Sequence, residues 1–176
     1  MNDLGKLRWT RVAIVAAIGW LTAGCVQSNP PEPPPDLDFA FFRCDLQPVL
    51  VKQCAAPACH GNGKRFFRLY ARNRLRLGVD PLDVNRPLHE EEVRANFDAA
   101  RALVQGLDSP EDSMMVRKPL ESSQGGYYHG ATKIFRWGGP NVFPSRDDPG
   151  YQKLLSWAEG TREDPSCTDP GKDEAP

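Results

Sequence analysis

The sequence predicts a mainly α protein, a single domain that follows an N-terminal leader and a proline-rich stretch. Three observations lead there. Val93, Phe97, Ala100 and Val104 recur at helical spacing, as do Tyr151, Leu154, Leu155 and Ala158, the pattern of helices with one apolar face. Acidic or hydroxyl caps and an early proline stand where such helices begin. Between the proline-rich stretch and the last cysteine, residues 38–167 form a stretch of about 130 residues, enough for one domain with one core.

Taken in order, Lys6, Arg8 and Arg11 precede the apolar run Val12 to Leu21, the arrangement of an export signal. That run is well short of the roughly 20 apolar residues that cross a bilayer, so residues 1–24 read as a leader. Leu21-Thr22-Ala23-Gly24-Cys25 resembles a bacterial lipobox, which makes Cys25 a lipidated first residue of the mature protein. The competing reading is an uncleaved signal anchor with an incidental cysteine. Acyl chains on Cys25 would hold the protein to a lipid membrane, exported and anchored on the periplasmic face or at the cell surface. The outer membrane is preferred, because Val26 and Gln27 lack the aspartate associated with inner-membrane retention in some bacteria. Residues 25–37 hold Pro30, Pro31, Pro33, Pro34 and Pro35, an extended spacer rising about 3.1 Å per residue.

Within the domain, Asp45 is expected to cap a short helix with Pro48 in its first turn and Leu46, Val49 and Leu50 on its apolar face. Gly61-Asn62-Gly63 makes a turn, followed by Lys64, Arg65, Arg68, Arg72, Arg74 and Arg76 with no acid among them. A second helix is expected from about Glu90 to Val104, with glutamates in its first turn and Gly106 at its end. Ser113 caps a short turn through Met114, Met115 and Val116, which Pro119 limits. The Gly- and aromatic-rich stretch up to Pro144 reads as ordered loop. A last helix starts at Asp147 or Asp148 with Pro149 in its first turn and stops at Gly160. Residues 168–176 read as a poorly ordered tail.

Without residues 1–24, which carry Lys6, Arg8, Arg11 and Asp3, the chain has 19 Lys and Arg against 22 Asp and Glu, a net charge of −3. That balance argues against nucleic acid as a partner.

The stretch that carries chemistry is Cys54-Ala55-Ala56-Pro57-Ala58-Cys59-His60. Two cysteines with an adjoining histidine suit covalent haem attachment: each thiol adds across one vinyl group, and the imidazole reaches the iron. The usual motif has two intervening residues, and this one has four. No internal repeat is present, so one haem c is the most the sequence supports. If Cys25 carries lipid and Cys54 and Cys59 carry haem, Cys44 and Cys167 remain to pair as a disulfide, as thiols of exported proteins tend to do. A competing assignment pairs Cys54 with Cys59 and Cys44 with Cys167, and parity does not separate the two.

A short helix entering the Cys…Cys-His motif, long loops and an amphipathic last helix resemble the c-type cytochrome fold. More narrowly, the chain resembles cytochrome c-like haem domains of bacterial lipoproteins that combine a Cys-x4-Cys-His site with downstream elements. Those elements correspond here to Ser113, Lys118-Pro119, His129-Gly130, Tyr151, Leu154 and Trp157. The resemblance implies thioethers at Cys54 and Cys59, His60 as the proximal iron ligand, and loops that cover the haem. For the distal ligand it implies His129, with Met114 or Met115 as the alternative, since histidine and methionine are the common partners in this class. His89, beside three glutamates, reads as an exposed residue rather than a ligand. The basic cluster from Lys64 to Arg76 reads as a solvated face from which one arginine can meet a haem propionate, or which can steer an acidic redox partner.

The function so implied is single-electron transfer between redox partner proteins by a membrane-anchored electron carrier, not an enzyme. Peroxide chemistry or haem-based sensing would need an open iron position. The alternative is a haem-free, disulfide-stabilised lipoprotein with a binding or adaptor role.

Overall fold

The structure, a computed structural model, describes residues 33, 35–78, 80, 84–104, 109–129 and 142–162. Expectations for the leader, Cys25, most of the spacer, Gly106, Gly130, Cys167 and the tail fall outside these residues. Among the described residues the regular structure is helical, apart from one isolated parallel bridge between Leu120 and Phe143. The protein is mainly α, as its periodicity predicts.

The first helix begins earlier than Asp45. Asp38 caps α1 (Phe39–Phe41), its carboxylate accepting the Phe41 N–H at 2.6 Å. The chain then continues through a π-helical stretch (Phe42–Leu46) into α2 (Gln47–Gln53). Pro48 cannot donate to the carbonyl four residues back, and the π stretch lies immediately before α2. Asp45 sits inside that stretch and pairs with Lys153 at 2.8 Å. The earlier start follows from Phe41 and Phe42, which are buried and need a helix to bring them to the core.

The second helix, α3 (Glu90–Arg101), starts after His89, which is exposed. It ends short of Val104, and Leu103 and Val104 continue as turns that donate to the Ala100 and Arg101 carbonyls at 3.0 Å. Ser113 caps the short α4 (Met114–Arg117). Asp148 caps α5 (Pro149–Ala158), its Oδ1 accepting from the Gly150 and Tyr151 N–H groups at 2.8 and 3.2 Å.

Phe42, Phe97 and Trp157 bring the first helix, α3 and α5 together. Their ring centroids lie 5.4 to 5.9 Å apart, inclined by 51° to 78°, the tilted geometry aromatic rings prefer. The Trp157 indole N–H donates to the Asp38 carbonyl at 3.0 Å, closing the first helix onto the last.

Beside this junction Glu92 is buried against Arg76. The two make a bidentate pair at 2.9 and 2.8 Å, and Glu92 also accepts the Leu77 and His89 N–H groups. The remaining Arg76 donors reach the Val84, Arg86 and Pro87 carbonyls. Burial by itself would raise the Glu92 carboxyl, but the Arg76 bond and the two backbone donors hold it below its ordinary value. Arg76, one of the six clustered bases, is thus interior; Arg72 and Arg74 donate to the Asn85 and Val51 carbonyls.

Candidate functional site

The motif loop is built by α2. Helical bonds from the Cys54 and Ala55 N–H groups to the Leu50 carbonyl (2.8 and 3.1 Å) carry the chain out of the helix. It then turns back on itself: Cys59 and Gly61 N–H groups donate to the Ala56 carbonyl, and the His60 N–H donates to the Cys54 carbonyl at 3.0 Å. Pro57 lies in this turn, which absorbs the two extra residues of the motif. Gly61 is required by closeness, since a Cβ there would stand 2.1 Å from the Ala55 carbonyl oxygen.

Cys54 is buried, Cys59 is half-buried, and both are free thiols. Burial pushes the Cys54 thiol up to about 12, and the neighbouring Cys59 adds to the rise. Cys44 is disulfide-bonded, to a residue outside the described ones. The expected pairing with Cys167 therefore also lies outside them.

His60 is held by a bond with no sequence signal. Its Nδ1–H donates to the Phe67 carbonyl at 2.8 Å, which fixes the tautomer and leaves Nε2 with its lone pair. Burial keeps the imidazole neutral by lowering its pKa; the Phe67 bond opposes this and Arg65 adds to it.

His60 opens on a cavity of about 410 Å³, within the roughly 300–1,000 Å³ of clefts that take small molecules and cofactors. Leu50, Phe67, Leu103, Met115, Phe143 and Leu154 supply apolar wall, and Cys54, Arg65, Lys118 and His129 supply polar groups. The expected residues Cys54, His60, His129, Met114 and Met115 thus meet around one space, although they lie far apart in sequence; Cys59, the other expected thiol, is not among the residues that line it. Met115 is buried at 5% exposure whereas Met114 is 48% exposed. Phe66, 95% exposed, stands at the same cavity.

The two imidazoles are the most informative pair. Their centroids lie 5.9 Å apart with planes inclined by 15°, a stacked pair at ordinary ring-to-ring separation. Two imidazoles beside one cavity are a donor set that would suit an iron. Burial lowers the His129 pKa, and the nearby His60 ring and Lys118 ammonium oppose its protonation further, which favours a free nitrogen lone pair on both rings.

His129 is reached through a crossing that also fixes α4. Glu121 donates to the Phe143 carbonyl and Phe143 to the Pro119 carbonyl, both at 2.9 Å, and Gly126 donates to the Glu121 carbonyl at 3.1 Å. A Cβ on Gly126 would stand 1.9 Å from the Leu120 carbonyl oxygen, so only glycine lets the chain pass.

The wall residues Leu50, Phe67 and Leu103 escape sequence reasoning as site residues, because nothing local separates them from ordinary core. Lys118 was legible only as part of a Lys-Pro element with no assigned role. Comparison with known proteins returned no matching family model, no matching curated protein and no matching solved structure.

Proposed function

We propose that the protein is a membrane-anchored monohaem c-type cytochrome that carries single electrons between redox partners, with haem c attached through Cys54 and Cys59. The observation that carries this reading is the opposition of His60 and His129 at 5.9 Å across a cavity that Cys54 also lines. When bound there, the haem supplies a one-electron iron couple.

The chain's own residues do the rest. Cys54 and Cys59 would hold the macrocycle by thioethers, and the turn at Pro57 sets the Cys54–His60 spacing. His60 would supply the proximal nitrogen, oriented by its Nδ1–H bond to the Phe67 carbonyl. His129 would supply the distal nitrogen, and Met115 or Met114, which line the same cavity, the alternative thioether sulfur. Leu50, Phe143 and Leu154 would exclude water, lowering the local dielectric and so favouring the less charged state of the centre. If His60 and His129 both gave a nitrogen to the iron, no position would be left for a substrate, which would suit a carrier rather than an enzyme. Cys25, outside the described residues, would anchor the chain to lipid.

The pyridine haemochrome of the purified, export-matured protein tests the reading. A c-type α band, with one haem per chain, is the expected result. A correctly exported protein without that band ends it.

A further inference from the structure

The segment that carries His129 owes its course to α4. Residues 126–129 belong to no helix or strand, and Tyr127 and Tyr128 are exposed, so burial of their side chains does not fix them. Besides the Gly126 N–H bond to the Glu121 carbonyl, its ties run to two bases at the end of α4. The Tyr127 N–H donates to the Arg117 carbonyl at 3.1 Å, Arg117 Nε donates to the Gly125 carbonyl at 3.2 Å, and the Arg117 guanidinium lies 4.6 Å from the Tyr127 ring centroid. Lys118 Nζ donates to the Tyr128 carbonyl at 2.6 Å.

Only the last of these ties reaches the residue next to His129. The Tyr128 carbonyl and the His129 nitrogen share one rigid peptide plane, so fixing that carbonyl fixes the plane from which the His129 side chain departs. The donor to that carbonyl is charged, which makes the bond stronger than one between neutral groups at the same exposed position. The Lys118 backbone is itself anchored, its N–H donating to the Met114 carbonyl at 3.2 Å, with Pro119 next in line accepting from Phe143. Lys118 also lines the cavity that His129 lines.

We infer that Lys118 is a positioning residue: by donating to the Tyr128 carbonyl it sets the distance and orientation of the His129 imidazole opposite His60. The inference rests on the reading of His129 as the distal ligand. Methionine at this position keeps the length and the apolar stem while losing donor and charge; arginine keeps both donor and charge. A bare packing role would be served by methionine.

The test uses the export-matured full-length chain with Lys118→Met, Lys118→Arg and His129→Ala. It reads haem content, the ferric electron paramagnetic resonance spectrum and the midpoint potential. Lys118→Met is expected to keep its haem yet turn the single low-spin ferric signal into a mixture of species with a shifted potential, and Lys118→Arg to restore the wild-type signal. A wild-type spectrum in Lys118→Met, with the signal lost in His129→Ala, overturns the positioning role and leaves the ligand reading standing. A fall in potential in Lys118→Met with an unaltered spectrum shows a charge effect only and also overturns it. If His129→Ala leaves the spectrum unchanged, the ligand reading fails and the inference falls with it. If the preparation holds no haem c, the nuclear Overhauser contact between the His60 and His129 rings decides on the same samples. Its loss in Lys118→Met and return in Lys118→Arg sustains the inference, and its survival in Lys118→Met overturns it.

Discussion

The aromatic junction and the cavity share α5, yet they treat their polar groups in opposite ways. At the junction, Trp157 spends its indole N–H on the Asp38 carbonyl, and the buried Glu92 takes donors from Arg76, Leu77 and His89. Around the cavity, His60 commits one nitrogen to Phe67 and its other ring nitrogen to nothing among the described residues; neither ring nitrogen of His129 is hydrogen-bonded among them. Leu154 faces the cavity and Trp157 the junction, three residues apart on one helix. The difference separates two kinds of polar group: Trp157 and Glu92 have theirs taken up beside packed rings, and the imidazoles of His60 and His129 stand half-satisfied or unsatisfied in an apolar wall.

If that division is right, damage at the junction lowers stability and leaves the site's chemistry alone. Arg76→Ala leaves Glu92 as a buried charge without its partner, which costs about 3–5 kcal/mol, read as a drop in urea midpoint. The same pair governs acid stability. The folded Glu92 carboxyl titrates below its ordinary value, so its contribution is present above the unfolded value of about 4.3 and is lost as pH falls through the folded value. Urea midpoints between pH 7 and pH 3 should fall with acid, and Arg76→Ala should flatten that fall; an unchanged slope means other carboxylates carry the acid sensitivity.

Phe97→Ala removes the ring that touches both Phe42 and Trp157 and should cost about 3–4 kcal/mol by the cavity it leaves. Thermal melting measures it, and the ferric haem spectrum of the folded variant should match that of the wild type. A changed spectrum would mean that junction and site are coupled through α5. Gly126→Ala reverses the pattern. Its Cβ meets the Leu120 carbonyl, so the chain leading to His129 must shift at a cost of about 1–3 kcal/mol, with a larger change in the haem spectrum than Phe97→Ala gives.

The sequence made α3 and α5 legible because apolar spacing, Asp148-Pro149 and the Glu-rich first turn agree with one another. It hid the start of the first helix, where Asp38 and not Asp45 is the cap: Asp45 followed by Pro48 imitates a start signal, and a π stretch interrupts the register. Glu92 read only as one of the first-turn glutamates, since its partner Arg76 lies 16 residues away in sequence. At the site, Cys54, Cys59 and His60 were legible because their chemistry is contiguous. The resemblance names His129 ahead of Met114 and Met115, but only tertiary packing sets 5.9 Å between two rings. The Phe67 carbonyl is backbone, and no residue type announces it.

The bonding of Cys54 and Cys59 carries the whole account, and peptide mapping of the export-matured protein by mass spectrometry reads it directly. The account predicts that the peptide spanning Cys54 to His60 carries the mass of one haem on two thioethers, unaltered by reduction. A haem-free peptide closed by a Cys54–Cys59 disulfide that opens on reduction would contradict it.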